Sequence, residues 1–261
     1  MLRALNTSAT GMASQEANIN TVANNVANVN TVGFKKGRAE FEDLLYETIE
    51  EAGGRSSATS QYNTGLQIGS GSKVSGVRKI HSQGDPMITK NPFDLMINGD
   101  GHFGIIMPSN EIRYTRDGSF GPDQNGVLVN KQGFRLFPTI TLPPQVTSVN
   151  IAQDGTVEAY LQGQVEPQNA GVISVFTFIN PAGLYSTGGN LYKATGSSGA
   201  PIQMIGGQQN AGIIEQGMLE SSNVSIMNEM TDMIKAQRSF EMNSKVMNIA
   251  DQILQTVNNV R

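Results

Sequence analysis

Some residue types are missing from this chain of 261 residues, or are confined to one part of it. There is no cysteine, which excludes disulfides, thiolate nucleophiles and cysteine-based zinc sites. All ten prolines lie between Pro86 and Pro201, and no glycine follows Gly217. Both ends of the chain therefore lack the residue that most strongly interrupts a helix, whereas the middle contains the turn formers.

Charge is also scarce, at 15% of residues, and the formal net charge is −4. No basic stripe interleaved with aromatic residues is present, so we expect no attraction to nucleic acid or to an anionic membrane. Acidic residues directly follow the densest basic cluster, Lys35, Lys36 and Arg38, which predicts a solvated mixed-charge segment.

Long apolar runs are absent as well. No stretch of 18 apolar residues exists, so we expect no membrane-spanning helix. The start, MLRALNTSATGM, lacks the apolar core of a cleavable secretory signal. If the protein leaves the cytoplasm, we expect a route that does not read such a signal.

The first 32 residues have apolar side chains at coiled-coil spacing, although asparagine, a poor helix former, is frequent there. An isolated helix of this composition should be marginal, so we predict that it is largely disordered in the free monomer. The predicted seam consists of Leu5, Met12, Ile19 and Val26, seven residues apart, with Val22 and Val29.

The last 44 residues repeat this pattern and predict a second helix with two apolar stripes, able to touch more than one neighbour. Ser221, Ser222 and Asn223 are its candidate N-caps. The first stripe contains Ile226, Met233, Phe240, Met247 and Leu254, with Ala236, Ala250 and Val257. The second contains Met227, Met230, Ile234, Val246, Ile249, Ile253, Val257 and Val260.

Between these ends the pattern changes. Phe41, Leu44, Leu45 and Ile49 have approximately helical spacing, and a polar loop follows. From residue 70, turn dipeptides separate short apolar runs such as GVLVN, SVNIA, TVEAY and VISVFTFI, which predict strands. We therefore predict an α+β fold, a discontinuous terminal coiled coil plus a central, mainly antiparallel β domain. The predicted segments of the chain are an N-terminal helix at 1–32, an intermediate segment at 33–70, the central β domain at 71–217 and a C-terminal helix at 218–261.

No catalytic constellation is evident. The run from Gly99 to Gly104 spells G-x-G-x-x-G, but a short strand pattern and Pro108 follow it rather than a helix, so we interpret it as a turn. Asp123 to Gly126 resembles part of a calcium loop but lacks its final acidic ligand, which indicates a hairpin turn. We predict no enzyme activity, metal, cofactor or small-molecule substrate.

The two ends contain recognisable motifs. ANNVANVNT at 23–31, continued by GFKK at 33–36, resembles the N-terminal signature of the bacterial flagellar rod and hook family. ESSNV at 220–224 and IKAQRSFE at 234–241 are similar to its C-terminal signature. The signature residues singled out are Asn24, Asn25, Asn28, Asn30, Gly33, Phe34, Gln237 and Arg238.

The resemblance continues through DGHF at 100–103 and YTRDGSF at 114–120. FINPAGL at 178–184, NLY at 190–192, MLRAL at 1–5 and GLQIG at 65–69 look like the distal rod branch of the family. Two residues depart from the usual spelling, since His102 stands where Phe is common and Ser239 where Ala is common.

The resemblance implies a structural subunit of the distal rod, whose helices line a rigid tube that transmits torque and forms the export channel. Residues 33–70 would be an intermediate layer with a rod-specific insertion at about 46–63. Implied partners are further copies of the chain, proximal rod proteins, hook-side axial proteins, the P-ring and L-ring bushing, the type III export apparatus and the rod cap. The implied location is the basal body, in the periplasm and through the outer-membrane region.

Three alternatives stay open from the sequence. A proximal rod or hook subunit would belong to the same family. A rod-associated peptidoglycan hydrolase would need a catalytic carboxylate in a cleft. A soluble monomeric binding module would have stable helical ends in dilute monomer.

Overall fold

A computed structural model of the chain describes residues 2–51, 64–163, 166–208 and 211–259. It divides into two compact units. We call 1–27, 37–79 and 225–261 the helical unit, and 28–36 with 80–224 the β body. Each unit is therefore assembled from segments that are distant in sequence.

The helical unit contains two long helices and two short antiparallel ladders. Helix α1 (Leu2–Ala27) packs against α2 (Ile226–Asn259). Strand β1 (Gly37–Asp43) pairs with β4 (Ser72–Lys79), and β2 (Tyr46–Glu50) pairs with β3 (Leu66–Gly69). Strands β1 and β4 also contact α1. The helix pair thus has a β ladder packed against α1.

The β body contains the other strands found in the described part of the chain, together with a 3₁₀ turn at Pro181–Gly183. The strands are β5 (Pro86–Ile88), β6 (Leu95–Asn98), β7 (His102–Ile106), β8 (Ile112–Thr115), β9 (Phe120–Pro122), β10 (Leu128–Asn130), β11 (Arg135–Phe137), β12 (Val146–Ile151), β13 (Thr156–Leu161), β14 (Gln168–Val172), β15 (Ser174–Thr177), β16 (Tyr185–Gly188), β17 (Leu191–Lys193), β18 (Ile202–Ile205), β19 (Ile213–Gln216) and β20 (Met218–Glu220).

The largest sheet has the order β16-β17-β8-β7-β11-β10-β9, and it branches at β7. One half of β7 pairs with β11, and the other half pairs with β15, which in turn pairs with β18. Strands β12, β13 and β14 form a separate ladder, and two-stranded ladders join β19 to β6 and β20 to β5. Every one of these pairings is antiparallel.

One apolar cluster unites the β body. Fully buried side chains from many strands meet in it, among them Phe103, Leu136, Val157 and Ile214. A smaller aromatic cluster forms around Tyr114, Phe176 and Tyr192. These clusters explain why short strands with weak individual signals form a stable body.

The predicted α+β class is confirmed, since helices occupy both ends and the middle is antiparallel β structure. The predicted strands GVLVN, SVNIA, TVEAY and VISVFTFI overlap β10, β12, β13 and β15, respectively. The turn interpretations also hold: β7 follows Gly101 directly, and Gly126 adopts φ +74° between β9 and β10.

Three local predictions were wrong. The spacing at residues 41–49 suggested a helix, but β1 and β2 occupy it, because cross-strand pairing overrides so weak a periodicity. The C-terminal helix begins at Ile226 rather than 218, since β20 pairs with β5 first. Strand β4 belongs with the helices and not with the central β domain. Residues 52–63, most of the predicted insertion, lie outside the described residues.

Candidate assembly surfaces and a buried charge cluster

The two helices are antiparallel, since the end of α1 meets the start of α2 and the middle of α1 meets the middle of α2. Asn25 of α1 meets Glu229 of α2, and a Cβ built on Gly11 would lie 2.8 Å from Nδ2 of Asn243. Ser8, Ser14, Ala236 and Ala250 are buried. Small side chains in the interface therefore let the two backbones approach.

Asn25 gives the asparagine-rich signature a structural role. Its Oδ1 accepts the backbone N–H of Gly37 at 2.8 Å, and its Nδ2 donates to the Gly37 carbonyl at 2.8 Å. The same Nδ2 donates to Oε2 of Glu229 at 2.9 Å. A side chain that is 2% exposed thus joins α1, β1 and α2. The sequence marked Asn25 as a signature residue but gave no reason for it.

The predicted seam residues are buried to different extents. Val22 is buried. Leu5, Met12, Ile19, Val26, Met233, Met247 and Leu254 are half-buried, whereas Ile226, Phe240 and Ile253 are exposed. Val29 lies in a turn after the end of α1, and the side chain of Val257 lies outside the described part of the chain. Their role as an assembly seam stays a prediction.

The second apolar stripe of α2 is exposed wherever the structure describes it. Its exposed members are Met227, Met230, Ile234, Val246, Ile249 and Ile253. Met227 is 76% exposed. A row of large apolar side chains along one helix is typical of a surface that another protein covers.

The other signature residues divide between exterior and interior. Asn24, Asn30, Gln237 and Arg238 are exposed, and Asn28 is half-buried. Gly33 lies inside the β body with φ +67°, and a Cβ there would stand 2.7 Å from the backbone of Arg116. Phe34 is also buried.

Lys35 corrects the prediction of a solvated basic segment, because it is 0% exposed. Its Nζ donates to Oε1 of Glu220 at 2.5 Å and to the Ser82 carbonyl at 2.7 Å. Glu220 Oε1 also accepts the Gly84 N–H at 2.9 Å. The N-terminal and C-terminal signatures are therefore joined by a buried ion pair within the β body.

Arg116 completes this charge cluster. Its Nη1 lies 3.4 Å from Glu220 Oε2 and donates to the Ile97 carbonyl at 3.0 Å, while Nη2 donates to the Gly99 carbonyl at 2.6 Å. In the sequence, Glu220 and Arg116 are recognisable only as members of the family motifs ESSNV and YTRDGSF. Arg116 lies in a bend directly after β8 and Glu220 is the last residue of β20, and at neither position does a charged residue by itself signal burial.

Asn223 has a related task rather than the predicted capping role. Its Oδ1 accepts the Lys36 N–H at 2.8 Å, and its Nδ2 donates to the Ile80 carbonyl at 2.9 Å. The residue directly before α2 is Ser225, whose carbonyl accepts the Glu229 N–H. Asn223 thus holds the two signatures together beside the charge cluster.

Burial shifts the pKa values of the groups around this cluster. Desolvation lowers the pKa of Lys35, against the attraction of Glu220. Burial likewise lowers the pKa of Arg116, and it raises the pKa of Tyr192 to about 12. Burial, with Arg116, His81 and Lys35 next in order, holds the pKa of His102 well below its usual range. His102 is therefore neutral at pH 7.

A cavity of about 420 Å³ lies beside the cluster, with His81, His102, Arg116 and Ile202 in its wall. Among the described residues, no group of three or more His, Asp or Glu side chains is placed to hold a metal ion. None of the described helices is long and apolar enough to cross a membrane.

Comparison with known protein families gives three matches along the chain. The family "Flagella basal body rod protein" matches residues 5–35. "Flagellar hook protein FlgE/F/G D1 domain" matches residues 96–159, and "Flagellar basal body rod FlgEFG protein C-terminal" matches residues 215–260. The matches therefore include both terminal signatures and part of the β body.

Curated relatives are similar over the whole length. Flagellar basal-body rod protein FlgG of Caulobacter vibrioides is 44% identical over 261 residues, 100% of each chain. FlgG of Borreliella burgdorferi is 44% identical over 263 residues, 100% of this chain and 99% of the relative. FlgG of Bacillus subtilis is 38% identical over 266 residues, 100% of each chain. The chain therefore belongs to the FlgG family of flagellar basal-body rod proteins, and it is a structural subunit of the flagellar rod.

Proposed function

We propose that copies of this chain polymerise into the distal rod through their terminal helices, which form the inner wall of a stiff tube. The observation that carries this proposal is the exposed apolar stripe of α2. One face of α2 already packs on α1, so the second stripe is available to a neighbouring copy. Repetition of one contact whose rotation does not close generates a helical polymer.

The burial pattern supports coupling between assembly and ordering of the helices. In the described part of the helical unit, the buried apolar side chains are Val22, Ala236 and Ala250. Burial of one valine and two alanines stabilises little, at roughly 25 cal/mol per Å² of apolar surface. Neighbouring copies would supply the missing burial, so helix formation would be restricted to the growing end.

The β body would act as the rigid outer part of each subunit. Its closed apolar core and its hydrogen-bonded charge cluster support this role, since both resist local deformation. Torque would pass between copies through helix seams and body contacts. The bore of the tube would form the export channel.

Finer assignments follow from the same proposal. Partners would be the proximal rod proteins, the hook protein or other hook-side axial proteins, the P-ring and L-ring bushing, the rod cap and the flagellar type III export apparatus. The rod would lie in the periplasm and pass through the outer-membrane region. The insertion at about Tyr46–Asn63 would stiffen the tube.

The helical seam can be tested with charges placed at half-buried positions. Ile19→Asp and Leu254→Asp should each prevent rod assembly, because a carboxylate would enter a packed seam. The β body should still unfold cooperatively on heating. Asn20→Asp and Gln252→Asp are matched controls at exposed neighbouring positions and should assemble. Normal rods from both seam variants would contradict the proposal.

Electron microscopy of basal bodies from a strain lacking this chain separates the family alternatives. A truncated rod without an external hook would support a distal rod subunit. A complete rod without a hook would indicate a hook subunit instead. Intact, hook-bearing basal bodies would contradict both roles.

A further inference from the structure

Among the described residues, the largest sheet of the β body ends in three edge strands, β9, β16 and β18, and β16 and β18 are the two ends of one path through the sheet. Along the path β16-β17-β8-β7-β15-β18, strands β16 and β18 each pair with one neighbour among the described residues. All four residues of β16 are exposed, and so are Ile202, Gln203 and Ile205 of β18. Backbone N–H and C=O groups along such edges are free to pair with an added strand.

Neither edge has the features that usually prevent such pairing. Exposed edge strands are commonly blocked by charged side chains or by proline. Strand β16 reads YSTG and β18 reads IQMI, without a charge or a proline in either. By contrast, β9 ends in Pro122 and β5 begins with Pro86. Among the edge strands of the largest sheet, β16 and β18 are thus the two without a charge or a proline.

The strand directions make the two edges complementary. Five successive antiparallel pairings separate β16 from β18, so the two strands run in opposite directions. If a second copy with the same orientation is placed alongside, its β16 therefore runs antiparallel to β18 of the first. Both strands are four residues long. One sheet could then continue from copy to copy.

The side chains also match along this junction. Tyr185 pairs with Lys193, which shares a sheet face with Leu191 two residues before it. The partners from Leu191 onward are Thr115, Phe103, Val175 and Met204, so Tyr185 lies on the same sheet face as Met204 and Ile202. Tyr185 is 64% exposed and Ile202 is 42% exposed. A continued sheet would bring these side chains together, and aromatic–aliphatic pairs of this kind stabilise antiparallel ladders.

Concave surfaces lie around β18. The cavity of about 420 Å³ beside the charge cluster includes Ile202 and Met204 in its wall. A second cavity of about 400 Å³ includes Ile202, Met204 and Ile205, together with Gln208. Strand addition typically combines backbone pairing with pockets for alternate side chains. The edge at β18 has both features.

We propose that β16 of one copy adds to β18 of a neighbouring copy, so that the β bodies of the rod are joined edge to edge by antiparallel strand pairing. This inference rests on the proposed function, because it takes self-assembly as given. Edge pairing is directional and differs from the helix seams in both residues and geometry. It would give the outer part of the rod its own head-to-tail contact, which resists twisting between bodies.

The absence of cysteine makes cross-linking a direct test. Cysteines at Ser186→Cys and Gln203→Cys in one chain, treated with a short bis-maleimide, should link assembled rods into ladders of dimers and higher multimers. A short linker reaches diagonal as well as directly opposed residues of a ladder. Each single variant should stay monomeric on a denaturing gel, since it lacks the second partner. Gln203→Cys with Ser148→Cys, in the separate β12 ladder, is the matched control pair and should not form ladders.

A second variant tests the β18 edge without a cross-linking reagent. Ile202→Lys with Ile205→Lys should leave the thermal unfolding of the β body intact but reduce motility at least tenfold, because two charges block the edge. Ile88→Lys, an exposed position on β5, should have little effect. Assembled rods without cross-linked ladders, or full motility of the lysine variant, would overturn the edge proposal alone. A strain lacking the chain that still builds complete rods and hooks would instead overturn the proposed function.

Discussion

The β body and the helical unit use their apolar residues in opposite ways. In the β body, large side chains such as Phe103, Leu136 and Ile214 are fully buried in one cluster. In the helical unit, the largest apolar side chains of α2, including Met227 and Ile249, point to the exterior. The first pattern is that of a domain that completes its own core. The second is that of an interface that still lacks its partner.

Polar residues show the same contrast. The β body encloses Lys35, Arg116 and Glu220 in a buried cluster of ion pairs and hydrogen bonds, which is costly to bury and more costly to break. The helical unit buries the uncharged Ser8, Ser14 and Asn25, of which Ser14 bonds to Ser72 of β4 and Asn25 joins α1 to β1 and α2. The contrast supports the proposed division of roles, in which the β body is rigid before assembly and the helices become ordered during it.

Breaking the charge cluster should give the largest effect. Glu220→Ala leaves Lys35 and Arg116 buried without their carboxylate, so the free energy of unfolding of the β body should fall by about 3–5 kcal/mol. Chemical denaturation of the purified chain measures this loss. Lys193→Ala removes an exposed ion pair with Glu111 and should cost less than about 1 kcal/mol. Equal losses in the two variants would show that the cluster is not a special feature of the β body.

The next largest effect should come from truncating one apolar residue in each region, because only the truncation in the β body should lower the stability of the monomer. Leu136→Ala opens a cavity in the buried cluster and should destabilise the β body by about 2–5 kcal/mol. Met227→Ala removes an exposed side chain and should change the stability of the monomer by at most about 0.5 kcal/mol. It should nevertheless slow rod growth, measured as filament length against time. A stability loss in the monomer without any assembly defect would reverse the proposed division of roles.

The smallest expected effect is a pH dependence confined to the β body. The pKa of His102 in the folded state lies well below the value near 6.5 of a free histidine, so unfolding takes up a proton below about pH 6.5. The free energy of unfolding therefore falls as the pH drops below 6.5, by at most about 1.4 kcal/mol per pH unit from this group.

His102→Phe provides the comparison for that slope. The variant restores the residue common in the family and should lose stability less steeply between pH 6.5 and 5.5 than the parent chain. Denaturant titrations at pH 7.5, 6.5 and 5.5 would measure the slope of the unfolding free energy against pH for both proteins, which contain the same carboxyl groups. Parallel slopes would mean that His102 does not contribute to the acid sensitivity of the β body.

Periodicity and turn chemistry were strong enough to be read from the sequence. Heptad spacing predicted two terminal helices, and dipeptides such as Asn125-Gly126 predicted turns, because both depend on residues that are close along the chain. The two stripes of α2 were predicted for the same reason. The functional class was predicted from the family signatures, because the pattern of helices and strands does not by itself indicate a function.

Burial of charge could not be predicted in this way. Lys35 was predicted to be solvated because acidic residues follow it, yet its partner is Glu220, 185 residues away. Likewise, Asn223 was predicted to cap α2, and instead its amide joins Lys36 to Ile80. Each of these contacts depends on which distant strands become neighbours, and no local pattern contains that information.

The sequence by itself thus determined the helices, the turns, the apolar stripes and the family, since each is fixed by local spacing or by short motifs. Only the tertiary structure decided which polar signature residues are interior, where α2 begins, and which strands form open edges. The physical reason is that burial and strand pairing are properties of segments brought together from both ends of the chain. The charge cluster formed by Lys35, Arg116 and Glu220 exists only after those ends have met.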